Sequence, residues 1–281
     1  MRARITDSAA LRKISPSQIM AYLQARGAKQ VGNFLDRAGI WALGKEEFLV
    51  PVAAEFADYA YRVADILAAL ERVEEHSQLE ILDDLHEVGF DVVGIGRFPK
   101  DETSEAPGIM RAVDFLAHAR DLLMAAACAA ATRMACSPAK RSQDAERFMQ
   151  SVRLAKMEGY GFAVRLLAPV TPVRKSTDST AEPYALYERS VVPILQESLE
   201  TLCLAEQKAR EGGSAELFEK SAAREDLAKL CAALTGIRKA LDSKCLEIGI
   251  TYSATRSQHL PCARICVEER YLQSILCRKF S

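Results

Sequence analysis

The first 127 residues contain no cysteine, and the whole chain carries four histidines and a single tryptophan. With His76, His86, His118 and His259 as the only imidazoles, nucleophile–base pairs and histidine-rich metal cages have few candidate members. Long apolar runs are missing too. No stretch of about 18 uncharged apolar residues occurs, so a membrane-spanning helix is not expected. Excess charge is absent, the formal net charge being -1, which excludes a whole-chain attraction to nucleic acid or to acidic membranes. The phosphate-binding fingerprints are incomplete. Gly94-Ile95-Gly96 has no third glycine and runs into Pro99, and no lysine–serine or lysine–threonine pair supports a P-loop. A glycine-flanked nucleophilic serine is also lacking. Met1 to Ile5 is followed by polar residues, so no secretory leader is expected. The eight cysteines, at 128, 136, 203, 231, 245, 262, 266 and 277, therefore read as reduced, mostly buried thiols of a cytoplasmic protein.

What is present is an ordinary globular balance, 49% hydrophobic and 27% charged over 281 residues, enough for two cores. The expected division is an N-terminal module over 1–80 and a larger helix-rich domain over 81–281, with the boundary between about Glu75 and Val88. The charge is polarised. Met1 to Lys45 holds eight Lys/Arg against two acids, whereas Pro51 to Met110 holds four against fourteen. Such an arrangement serves two partners, or lets the two faces meet each other.

Within the module, Ser15-Pro16-Ser17-Gln18 starts a helix with a hydroxyl cap and a proline at the first position. Three strands follow, Lys29 to Phe34, Ala38 to Leu43 and Glu46 to Val50, the last two joined by a tight turn at Gly44-Lys45. A long helix with one acidic side then spans about Ala53 to Glu75. This helix, three strands, helix order resembles the double-stranded-RNA-binding fold and the HicA-type toxins built on it, over the first quarter of the chain. Two family features have no counterpart. The toxin's histidine is missing from the central strand, Ala38-Gly39-Ile40-Trp41-Ala42, and the RNA-binding lysine cluster is replaced by an acidic helix.

The larger domain is expected as a small mixed sheet backed by long helices, α+β in class. Its elements are a helix Ser77–His86, a strand Phe90–Phe98, a central helix 109–136, a helix Ser142–Met157, a buried strand Tyr160–Leu167, helices over about 184–210 and 215–241, strands Leu246–Tyr252 and Arg264–Val267, and a last helix to Phe280. Two strand-plus-helix-pair units in succession suggest an internal duplication. The central helix is punctuated by Pro107-Gly108 and Ser137-Pro138. Val113, Leu116, Arg120, Leu123, Ala127, Ala130 and Met134 line one side of it, and its alanine-rich second half is smooth nearly all round. Stretches 99–108 and 171–183 are the longest polar loops, where proteolysis is expected first.

Each feature suggestive of chemistry has a plainer account. Gly94 and Gly96 suit close backbone packing. His259 and Cys262 could hold zinc only with Cys245 or Cys277, because Cys262 and Cys266 on one strand lie about 13 Å apart. His118 has Asp114 and Asp121 nearby but no nucleophile motif. Glu158-Gly159-Tyr160-Gly161-Phe162 could present Glu158 at a strand mouth. Asp83-Asp84 and Glu74-Glu75, about 100° apart on a helix, read as solvated surface. No catalytic, cofactor or metal residue is assigned, and enzymatic activity is left open. The expected function is that of a non-enzymatic accessory subunit binding a protein partner or a second copy, with no membrane partner. The alternative is nucleic-acid binding by the basic module through Arg12, Lys13, Arg26, Lys29 and Arg37, with Arg2 and Arg4, in a bacterial multi-gene setting such as phage defence. An enzyme with an unrecognised site is the third reading.

Overall fold

A computed structural model describes residues 4–96, 107–134, 138–155, 163–171, 183–210, 221–242, 245–253, 256 and 262–268. The chain forms two compact units, one of Met1–Phe90 with Ser253–His259, the other of Asp91–Tyr252 with Leu260–Ser281. The fold is α+β and helix-rich, with a three-stranded and a five-stranded sheet.

The first unit opens with a single helical turn, α1 (Ser8–Leu11), capped by the Asp7 carboxylate. Helix α2 (Pro16–Ala25) starts where the sequence places it. The Ser15 hydroxyl accepts from the Gln18 amide, and the Gln18 side chain returns a bond to the Ser15 amide. Gly27, at φ 85°, turns the chain into the sheet. Strands β1 (Lys29–Phe34), β2 (Ala38–Leu43) and β3 (Glu46–Pro51) form an antiparallel meander in the order β1-β2-β3. Trp41 is buried in this core, as its apolar neighbours imply. Helix α3 (Tyr59–Glu74) begins six residues later than the apolar periodicity suggests. Turns occupy the intervening stretch, and the Tyr59 amide bonds back to the Phe56 carbonyl. Its buried side comprises Tyr59, Val63, Ile66, Leu67 and Leu70. Helix α4 (Gln78–Glu87) carries a capping box of Ser77 and Glu80 and packs on α2 and α3 through Ile81, Leu82 and Leu85.

In the second unit, β4 (Phe90–Gly96) is the central strand of the order β5-β6-β4-β7-β8. Helices α5 (Ile109–Arg133) and α6 (Pro138–Ser151) precede β5 (Arg153–Ala155) and β6 (Ala163–Pro169). Helices α7 (Pro183–Arg210) and α8 (Ser221–Leu241) precede β7 (Cys245–Thr251) and β8 (Ala263–Glu268). The pairs β5–β6, β4–β7 and β7–β8 are antiparallel. Strand β5 replaces the end of the helix expected over 142–157. Three residues are too few to alternate visibly, and pairing with β6 decides their conformation. On β7 the alternation holds, Leu246, Ile248 and Ile250 being buried. Gly94 faces Gly249 across the β4–β7 ladder.

Helix α5 packs against α6, α7 and α8. Its alanines 125, 126, 127, 130 and 131 are buried, as expected of its second half. Its first half is rotated from the expected phase. Phe115, Ala119, Leu122 and Leu123 enter the core, while Val113, Leu116, Arg120 and Met134 are exposed. Arg120 is in fact paired with Asp121 on the outer side. Helix α7 continues through Pro193. The loops singled out at 99–108 and 171–183, residues 156–162, His259 and the C-terminal helix lie wholly or largely outside the described residues.

Candidate functional site

Three of the five cations expected to contact nucleic acid are engaged inside the first unit. Arg12 donates to the Ala54 and Ala57 carbonyls, each at 3.1 Å. Arg37 lies over the Phe56 ring, 4.6 Å from its centroid. Arg26 is the most heavily bound. Its Nη2 donates to the Tyr22 hydroxyl at 2.9 Å and meets Asp84 at 3.2 Å, and its Nε lies 3.3 Å from Glu74. Lys13 and Lys29 are exposed and make no ion pair among the described residues. Arg2 lies outside the described residues.

Glu74 is the centre of this network and is not the solvated surface acid that its neighbour Glu75 suggests. Its side chain is only 10% exposed and accepts the Tyr22 hydroxyl at 2.7 Å. Burial, with the carboxylate beside it, pushes the Tyr22 phenol well above its usual range, against the opposing pull of Arg26. Gln78, also buried, extends the polar set by accepting the Ile5 amide and donating to Glu71. These bonds fasten α2, α3 and α4 together. They satisfy the Tyr22 hydroxyl and the Gln78 amide, and the ion pairs consume the positive charge of Arg26.

In the second unit the candidates for chemistry are structural. The His118 ring lies on Gly236 of α8, so closely that a β-carbon there would fall 2.4 Å from the ring. Its Nδ1 lies 4.0 Å from Asp121. No disulfide joins two described cysteines, and Cys128, Cys203, Cys231 and Cys262 are reduced; of these four Cys231 alone is fully buried and Cys262 is exposed. Cys266 is disulfide-bonded, so the expectation of eight reduced thiols does not hold at that position. Burial raises the Cys128 thiol, the opposite of nucleophile activation. No group of three or more metal-ligating side chains exists among the described residues. A polar cluster at the start of α7 has Thr171 donating to Glu188, and Arg147 over the Tyr184 ring at 3.9 Å. Tyr184, pushed up to about 12 by burial, has no hydrogen-bond partner for its buried hydroxyl among the described residues.

The feature that sequence reading missed is the outer side of α5. Ile109, Met110, Val113 and Leu116 are 76%, 71%, 52% and 40% exposed. Their spacing places them on one side of the first two turns, an apolar stripe on the order of a few hundred Å². Of these, Val113 and Leu116 belong to the stripe expected from sequence; Ile109 and Met110 do not. The direction of that stripe was not legible, because a second apolar set with the same period lies across the helix. The chain matches no protein-family model, no curated protein and no solved structure.

Proposed function

We propose that this protein is a non-enzymatic accessory subunit that binds a protein partner through the outer side of α5. The supporting observation is the stripe itself. Four large apolar side chains on one rigid helix stand in water, and contiguous patches of this kind mark interaction sites. Arg111 pairs with Asp242 and Arg120 with Asp121 beside it, so the rim carries both signs already paired and the apolar centre carries the affinity. The described residues offer no competing catalytic constellation. Nucleic-acid binding by the basic module loses much of its motive, since Arg26 is matched by Glu74 and Asp84.

The test is a Val113→Lys, Leu116→Lys double variant. Both positions are exposed, so the fold should be kept within roughly 0.5 kcal/mol per site. Expected is a partner recovered from native extract with the wild type and with a Lys45→Glu control, and lost with the double variant. Equal recovery with all three proteins would place the interface elsewhere.

A further inference from the structure

We propose that the β1–β2 hairpin tip of the first unit is a peripheral insertion point for an anionic lipid surface. Phe34 and Leu35 at the tip are 50% and 75% exposed, and Val52, 54% exposed, is tied to it by the hydrogen bond its N–H donates to the Arg37 carbonyl at 2.9 Å. Leu35 and Asp36 both hold left-handed backbone, at φ 49° and 52°. A bulky apolar residue is unfavourable there. The turn thus keeps a leucine side chain in water at a conformational cost, a combination that points to use.

The same end of the unit gathers positive charge not neutralised by a carboxylate among the described residues. Arg37 rests over Phe56, Arg12 is held by the carbonyls of Ala54 and Ala57 on either side of that ring, and Lys13 follows Arg12. Carbonyls and a ring orient a guanidinium but leave its charge in place. Asp36 at the tip and Glu55 in the neighbouring turn are the opposing acids, and Asp58 is paired with Arg62.

A convex tip offers no groove for a peptide. Nucleic acid would use the cations and at most stack a base on Phe34, leaving the aliphatic Leu35 and Val52 in water. The headgroup–acyl boundary takes both at once, with apolar side chains entering shallowly and cations meeting anionic headgroups. This contact is interfacial and needs no spanning helix, none being long and apolar enough among the described residues.

The experiment is flotation of the full chain with vesicles of phosphatidylcholine alone, or of phosphatidylcholine mixed with phosphatidylserine, at low and high salt. Wild type should float with the anionic vesicles only, and less at high salt. Leu35→Asn, which suits a left-handed turn and so preserves the hairpin, should weaken binding roughly tenfold through lost apolar transfer. Lys13→Gln should weaken it by a smaller factor and flatten the salt dependence. Equal binding to neutral vesicles, no binding at low salt, or a Leu35→Asn variant that binds like wild type would overturn the proposal. So would nucleic-acid binding unaffected by Leu35→Asn, with no flotation.

Discussion

Gly236 lets the His118 ring lie closer to α8 than any side chain at 236 would allow, and the imidazole is there as a packing surface. A methyl group at 236 cannot fit without moving the ring. Gly236→Ala is therefore expected to destabilise the protein by about 1–3 kcal/mol, despite alanine's better helix propensity. Adding His118→Ala should recover much of that loss. A denaturant double-mutant cycle showing additive effects would mean the two residues do not meet as described. Glu75 is a simpler case. It ends α3 in left-handed backbone at φ 58°, so Glu75→Gly should stabilise by up to about 1 kcal/mol, read from the urea midpoint. Tyr59 donates to the Ile14 carbonyl at 2.6 Å and is pushed up to about 12 by burial and by Glu55. Folded and unfolded phenols are alike below the ordinary value of 10. Above it the unfolded chain ionises first, so stability should fall as pH rises from about 10 through about 12. Alkaline unfolding monitored by phenolate absorbance checks this, and Tyr59→Phe should flatten the dependence.

At the scale of the element, sequence reading succeeded where a local signal governs. Ser15 and Ser77 place the starts of α2 and α4 because the cap and its returning side chain are three residues apart. In the first sheet Gly27 precedes β1 and Gly44-Lys45 joins β2 to β3, turn signals next to the strands in sequence. The reading failed where tertiary partners decide. Helix α5 carries two apolar stripes in its first half, and its alanines fit either phase, so only packing against α8 selects Phe115 over Val113. The Arg26 network was invisible for a similar reason, its acids lying 48 and 58 positions away. The α4 cap gives a test of local control. Glu80 sits below the usual carboxylate range because the Ser77 hydroxyl and amide donate to it. Its contribution is present above the ordinary carboxylate pKa and is lost as pH falls through the depressed folded value. Ser77→Ala should cost about 1 kcal/mol and move Glu80 part of the way back to its usual range in an NMR titration, the amide at 77 still donating to it. An unmoved Glu80 would mean the cap is not the cause.

For the whole molecule, the first core cluster runs from Leu11 to Val88, so all its buried apolar residues precede the second unit. A fragment of residues 1–90 is expected to unfold in one cooperative transition by circular dichroism, and a broad, non-cooperative melt would show that the core needs the rest of the chain. The fragment lacks the hydrogen bond from Ser253 to the Val88 carbonyl, so its C-terminal end should exchange amide hydrogens faster than in the full chain.

The position of β4 matters most while the protein is being made. This strand lies between β6 and β7 in the finished sheet, yet it is synthesised before either. Gly96 and Cys245 are 149 positions apart, which at about 5–20 residues per second corresponds to roughly seven to thirty seconds of translation. During that time the first core can close on the ribosome. The future centre of the second sheet, carrying Val92, Val93 and Ile95, meanwhile waits with both hydrogen-bonding edges open until β6 emerges and with one open until β7 does. A rare-codon pause between residues 96 and 245 should therefore lower soluble yield, whereas the same pause after β7 should not.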